Sequence, residues 1–156
     1  MIEINNLTTV KIDEEFLKKI AKIVLEGDDK KKSDLSVALV GQGRIRELNK
    51  KYRGKNRTTD VLTFGKSLPR TKPKVLVRGQ KFPIIPESES ELGEVVICLR
   101  EVKKNAKRFS STFEKELTQV LIHGILHLLG YDHEKNETDT KKMEKKQRYY
   151  LLKIFP

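Results

Sequence analysis

The stretch His123-Gly-Ile-Leu-His127-Leu-Leu-Gly130-Tyr-Asp-His133 contains all three histidines of the 156-residue chain. His123 and His127 are four residues apart, so on a helix they lie on one face, about one turn apart. They are the only polar side chains from position 120 to 129, which predicts a largely buried helix. Two buried imidazoles need polar partners, and one divalent cation satisfies both.

The end of this stretch predicts a third metal ligand. Gly130 can take the left-handed conformation that ends a helix, after which the chain turns back and brings His133 to the ion. Three protein nitrogens leave one position of a tetrahedral zinc open, as in catalytic rather than structural sites. We therefore predict one zinc ion per chain, bound by His123, His127 and His133.

The spacing of the histidines and Gly130 also matches the zinc-peptidase pattern His-Glu-x-x-His-x-x-Gly-x-x-His at every place except the glutamate. That place is held by Gly124, so the general base of a peptidase is missing. A metallopeptidase is therefore the least favoured hypothesis. A reaction in which an ion acts as a Lewis acid and a cationic side chain stabilises an anionic transition state stays possible, and phosphodiester cleavage is one such reaction.

Composition indicates a polyanionic partner. Lys and Arg number 33 against 22 acidic residues, which gives a net charge of +11; a charged surface kept for solubility is the alternative. The single cysteine, Cys98, lies in an apolar run and predicts a core thiol in a reducing cytoplasm. We see no secretory leader and no apolar run of membrane-spanning length, so we expect a soluble cytoplasmic protein.

Strand and helix patterns alternate along the chain, which predicts an α/β or α+β layer fold in a single domain over 1–156. Residues 66–93 hold four of the five prolines and predict a long loop insertion with a hairpin arm at 75–77. The predicted strands are 8–12, 35–40, 61–64 and 94–99. The predicted helices are one opened by Asp13, one ending at Gly54, and three at about 100–108, 112–129 and 137–153.

Three segments resemble the YbeY family of bacterial endoribonucleases, also called rRNA maturation factors. The histidine stretch closely resembles the signature of that family. The segment from Leu48 to Phe64, with Tyr52-Arg53 and Thr59-Asp-Val-Leu-Thr-Phe64, is similar to a second family motif, and Leu92-Gly-Glu-Val-Val-Ile97 to a third. The resemblance runs in order from about residue 37 to 134.

The resemblance implies a single-strand-specific, metal-dependent endoribonuclease that matures ribosomal RNA, especially the 3′ end of the small-subunit RNA, and takes part in ribosome quality control. It implies an α+β fold, a small mixed four-stranded sheet with about five or six helices, and a metal site like that of zinc peptidases. The implied partners are single-stranded RNA, ribosomal RNA and the ribosome. His123, His127 and His133 match the metal ligands, and Arg53 matches a functional arginine that could clamp phosphate oxygens.

Several alternatives stay open at this point. The protein could be a non-catalytic ribosome assembly factor whose zinc only holds the fold. The nucleophile could be water or the 2′-hydroxyl of the RNA, and Asp132 fits a supporting role better than that of a base. The basic last helix either contacts RNA or is a solvated face, and the strand at 61–64 either borders the cleft or is an ordinary core strand.

Overall fold

The computed structural model describes residues 1–65, 74–75, 81–83, 86, 88–131 and 136–156. Within these residues the chain forms strands and helices in an α+β arrangement. Their order along the chain is β1 (Ile2–Asn6), α1 (Glu14–Gly27), β2 (Asp34–Val40), α2 (Gln42–Arg53), β3 (Val61–Phe64), β4 (Lys74–Val75), β5 (Lys81–Phe82), β6 (Glu91–Cys98), α3 (Leu99–Arg108), α4 (Phe113–Leu128) and α5 (Glu137–Ile154).

In the described part of the chain the main sheet has four strands in the order β1-β2-β6-β3. β1, β2 and β6 are parallel, and β3 runs antiparallel to β6 at one edge. This confirms the predicted small, mixed, four-stranded sheet. β3 is an edge strand whose Leu62 and Phe64 are buried, which confirms the interpretation as a core strand. That it also borders a cleft stays a prediction.

The predicted first strand at 8–12 is wrong, because β1 covers Ile2–Asn6. Ile4 of this strand lies opposite Val37 of β2. The strand ends where the side chain of Asn6 accepts hydrogen bonds from the backbone N–H and the hydroxyl of Thr8. Such a local bond replaces the ladder and turns the chain.

The two faces of the sheet pack against different helices. Because side chains alternate along a strand, Val37 and Ile97 point to the face covered by α1 and α4, against which α5 packs in turn. Val40 and Cys98 point to the opposite face, which α2 covers. The expectation that Cys98 is a core thiol is confirmed, and burial raises its pKa. The central parallel strands are apolar on both sides because helices cover both faces of the sheet.

The five helices of the described residues follow the predicted segments closely. Asp13 begins α1 by accepting a hydrogen bond from the N–H of Phe16. Gly54 follows the last residue of α2 with a φ of 69°, the left-handed conformation that a glycine adopts without strain. None of the helices in the described ranges is long and apolar enough to cross a membrane.

The predicted loop at 66–93 lies mostly outside the described residues. Its described part includes β4 and β5, which pair antiparallel with Val75 opposite Lys81. This agrees with a hairpin arm near 75, although 76–77 are outside the described part. The insertion ends earlier than predicted, because β6 already begins at Glu91.

Candidate metal centre

The two helical histidines lie on α4, which packs against the sheet and against α1, α3 and α5. Thr112 begins this helix, since its hydroxyl oxygen accepts the N–H of Lys115 at 3.1 Å. The surrounding core fixes the helix and therefore the directions of its side chains. Among its fully buried side chains are Leu121, Ile122, Ile125 and Leu126.

The imidazoles of His123 and His127 meet edge to face, with 4.6 Å between ring centroids and 81° between ring planes. Their Nε2 atoms are 3.1 Å apart. Two nitrogens bound to one tetrahedral zinc at about 2.0–2.1 Å lie roughly 3.3 Å from each other. The rings are therefore close to the separation that a shared ion requires.

Gln147 on α5 fixes the orientation of His123. The Oε1 of Gln147 lies 3.0 Å from Nδ1 of His123. An amide oxygen only accepts, so Nδ1 carries the proton and donates it to this bond. In a neutral ring Nε2 is then deprotonated, and its lone pair is directed towards His127. Metal-binding histidines commonly use such a partner to fix their tautomer.

Gln147 is not among the residues that the motifs indicate, although one sequence signal points to it. Met143 and Tyr150 are the buried residues of α5, and Gln147 lies between them on the same face of the helix. A polar side chain within the apolar side of an amphipathic helix needs a partner. The sequence could not identify His123 as that partner, because 24 residues separate the two.

Gly130 ends α4 as predicted, with a φ of 100°. The N–H of Gly130 donates to His127 O, and the N–H of Tyr131 donates to Leu126 O, each at 3.0 Å. These two bonds form a Schellman motif, which satisfies the last carbonyls of a helix and reverses the chain. The chain therefore leaves α4 in a fixed direction.

Asp28, at the end of α1, anchors the same segment through side chains. It accepts a hydrogen bond of 2.8 Å from the hydroxyl of Tyr131 and another from the hydroxyl of Tyr150, and it pairs with Lys146 at 3.3 Å. Burial alone would raise the pKa of Asp28, but these bonds outweigh it and lower the pKa. Burial and the bond to Asp28 raise the pKa of Tyr131 to about 12.

His133, the third predicted ligand, and Asp132 lie outside the described residues. Among the residues that are described, no three His, Cys, Asp or Glu side chains are gathered closely enough to hold a metal ion. The nearest approach to a site is therefore the pair of His123 and His127. A site with three histidines therefore needs His133, the third histidine of the sequence.

One buried carboxyl lies on the histidine side of α4. Glu116 is 9% exposed, and burial and the nearby Asp60 raise its pKa. It precedes His123 by seven residues, so it is about 10 Å away along the helix axis. Glu116 is therefore too distant to act directly on a group held by the histidines.

Gly124 faces the sheet. A Cβ atom at this position would lie 2.7 Å from Cγ1 of Val95 and 3.5 Å from Cγ2 of Val61. Close packing between α4 and the sheet therefore requires glycine here. A glutamate at this place would enter the core, so the geometry gives a physical reason for the missing peptidase base.

Arg53 is the last residue of α2, and its side chain is exposed. α2 and α4 cover opposite faces of the sheet, but both reach the same end of β3. The Tyr52 ring contacts Phe64 at a centroid distance of 5.1 Å, and a Cβ on Gly65 would lie 3.0 Å from Leu128. Within the described part of the chain Arg53 makes no hydrogen bond or ion pair, including with either histidine.

Comparison with known proteins places this geometry in a family. The sequence model of the family Endoribonuclease YbeY matches residues 3–154 of this chain. A protein of Thermotoga neapolitana with that name is 36% identical over 153 residues, covering 98% of this chain and 82% of the relative. Its namesake in Thermodesulfovibrio yellowstonii is 37% identical, covering 90% of this chain and 85% of the relative.

A solved structure agrees with these relatives. The solution structure of the protein TM1509 from Thermotoga maritima superposes with a TM-score of 0.66 at 34% sequence identity. The match covers 99% of this chain and 89% of the other. The sheet and the helices that carry the candidate site therefore belong to a fold that is already known by experiment.

Proposed function

The chain belongs to the endoribonuclease YbeY family, and on that premise we propose that it cleaves single-stranded RNA with the help of one zinc ion. Membership makes the protein a hydrolase that acts on RNA. The proposed substrate is ribosomal RNA, near the 3′ end of the small-subunit RNA, and the proposed partner is the ribosome. We propose that it works as a single domain in the cytoplasm.

The observation that carries the proposal is the pair of His123 and His127 on the buried helix α4, with Nε2 atoms 3.1 Å apart. His133 is the proposed third ligand. Imidazole nitrogens are ligands that zinc prefers. Cys98 is not a candidate, because its thiol is buried with α2 on the other face of the sheet.

When bound, zinc would supply Lewis-acid chemistry, polarising an oxygen of the scissile phosphate. Gln147 would hold the His123 ring in place during binding and release, because its bond to Nδ1 comes from a different helix. A site whose ligands are held in this way needs little reorganisation when charge develops.

We assign Arg53 to the scissile phosphate. Its guanidinium can donate two parallel hydrogen bonds to phosphate oxygens, and it stays charged at any relevant pH. Its exposed position next to Tyr52, whose ring contacts Phe64 at the end of β3, supports this role. Charge that grows on the phosphate in the transition state would then be stabilised more than charge in the bound substrate.

The test is cleavage of a single-stranded oligoribonucleotide by the wild type and by His123→Ala, purified side by side to the same standard. We expect zinc-dependent cleavage by the wild type only, with stoichiometric zinc in the wild type and less in the variant. Equal cleavage by both would show a contaminating nuclease. RNA binding without cleavage would favour the ribosome assembly factor with a structural zinc.

A further inference from the structure

The outward face of α5 combines lysines with an exposed aromatic ring. Lys142, Lys145, Tyr149 and Lys153 are spaced by three or four residues, so they line one side of the helix. All four are exposed, and Tyr149 keeps 49% of its surface in contact with solvent. We call these four residues the α5 basic face.

The charge of this face is not neutralised within the described structure. Lys142, Lys145 and Lys153 form no ion pair with any described residue, whereas Lys146, beside the face, is paired with Asp28. Two acidic residues of α5 are in its first turn, before Lys142, so Asp139 only adjoins the N-terminal end of the face, and Glu144 projects about 140° around the helix from Tyr149. The acidic residues that the sequence interleaves with the lysines therefore do not interrupt the face.

The ring of Tyr149 is held by its neighbours. Tyr150 contacts it edge to face at a centroid distance of 5.2 Å. The Nζ of Lys153 lies 4.8 Å from its centroid, and that of Lys146 lies 5.9 Å away. An exposed ring between cations is the arrangement on which unpaired nucleic-acid bases stack while their phosphates meet positive charge.

We infer that the α5 basic face binds single-stranded RNA, with a base stacked on Tyr149 and phosphates at Lys142, Lys145 and Lys153. This inference rests on the proposed function, which supplies RNA as the polyanion that the charge requires. Gln147 projects from the opposite side of α5, and the helix is about 10 Å across. The face therefore holds nucleotides that flank the cleaved bond, and removing its charge raises KM while kcat is kept.

The experiment measures binding of a fluorescein-labelled single-stranded oligoribonucleotide by fluorescence anisotropy. The test variant is Lys142→Glu, Lys145→Glu, Lys153→Glu. Each phosphate of a single strand that the protein neutralises adds about 0.7 to the steepness with which log affinity falls against log salt. We expect affinity about a hundredfold weaker at 0.1 M salt and a slope shallower by about 2, because three phosphates are no longer neutralised.

A matched control separates this face from net charge. The variant Lys18→Glu, Lys19→Glu, Lys22→Glu changes the charge equally on α1, where Lys18 and Lys22 already pair with Glu15 and Glu26. We expect it to bind RNA nearly as well as the wild type. Equal weakening by both triple variants, or by neither, overturns the inference. Circular dichroism verifies that each variant is folded.

Tyr149 provides a second, uncharged test. Tyr149→Ala should weaken binding about tenfold because the base no longer stacks on a ring, and Tyr149→Phe should bind like the wild type. Equal binding by Tyr149→Ala and the wild type overturns the assigned stacking. If the wild type binds through this face but cleaves no RNA, the proposed cleavage fails and the face stands. If the lysine triple variant binds and cleaves like the wild type, the face is wrong and the cleavage stands.

Discussion

Asp28→Asn tests whether one carboxylate ties α1 to α5 and to the segment that leads from α4 towards His133. The side chain of Asp28 is only 11% exposed. A hydrogen bond to a charged group contributes about 1.5–3 kcal/mol and one to a neutral group about 0.5–1.5. Neutralising Asp28 therefore costs about 1 kcal/mol for each of the bonds from Tyr131 and Tyr150, and the partly exposed pair with Lys146 adds about 0.5. We expect a loss of about 2–3 kcal/mol, which lowers Tm by about 5–10 °C in a chain of this size.

The same variant has a defined pH dependence. Because the folded pKa of Asp28 is lowered, its contribution is complete above the pKa of about 3.9 that aspartate has in unfolded chains. The contribution is lost as pH falls through the lower, folded pKa. Wild type and variant should therefore differ at pH 7 and converge in strong acid.

The assay is urea unfolding between pH 7 and pH 2, with EDTA present so that metal binding adds nothing to stability. The control is Asp29→Asn, a neighbouring exposed residue whose φ of 57° asparagine also tolerates. It should change the free energy of unfolding by less than about 0.5 kcal/mol. A difference between Asp28→Asn and wild type below that value at pH 7, or one that persists unchanged in acid, refutes the assigned role.

Three further predictions concern the candidate site. Gln147→Leu should weaken zinc binding about 10- to 100-fold, measured by competition with a chromogenic chelator. Gln147→Glu keeps the bond to His123 and should bind zinc at least as tightly as wild type. Unchanged zinc affinity in Gln147→Leu would exclude the positioning role of Gln147. Gly124→Ala should lower the free energy of unfolding by about 1–3 kcal/mol through the clash with Val95. The control is Gly43→Ala, where nothing lies within 4 Å of the added Cβ, and it should raise the free energy of unfolding by up to about 1 kcal/mol. Urea denaturation compares the two variants. Arg53→Glu should reduce the rate of RNA cleavage at least about a hundredfold, and Arg53→Lys should recover only part of that rate. Both variants should keep the zinc content and Tm of the wild type. Wild-type turnover by Arg53→Glu would show that Arg53 has no catalytic role.

Local patterns predicted most of the fold. The apolar spacing in α1 and the glycine that follows α2 are set within a few residues, so the sequence indicated both helices. The first strand was misplaced for a physical reason. Residues 8–12 have strand-like composition, but the side chain of Asn6 ends the ladder before them, and Ile4 rather than Val10 reaches the core.

The candidate site also has features that the sequence predicts and features that only the tertiary structure shows. The four-residue spacing of His123 and His127 places both rings on one face of any helix, so their proximity follows from the sequence. The orientation of His123 does not, because Gln147 comes from a separate helix. The lack of a base at Gly124 is visible in the sequence, but its cause, close packing against Val95 of the sheet, is visible only in the tertiary structure.

The sequence by itself determined the alternation of strands and helices in a layer fold, the buried histidine helix and the glycine that ends it, because each depends on periodicity or on backbone conformation within one turn. Only the tertiary structure decided that Gln147 meets His123, that Asp28 joins two tyrosines from distant segments, and that α5 turns three lysines and Tyr149 to solvent. Those outcomes depend on how helices pack around one sheet. Packing of that kind brings together residues that are far apart in the chain, and local sequence patterns do not predict such contacts.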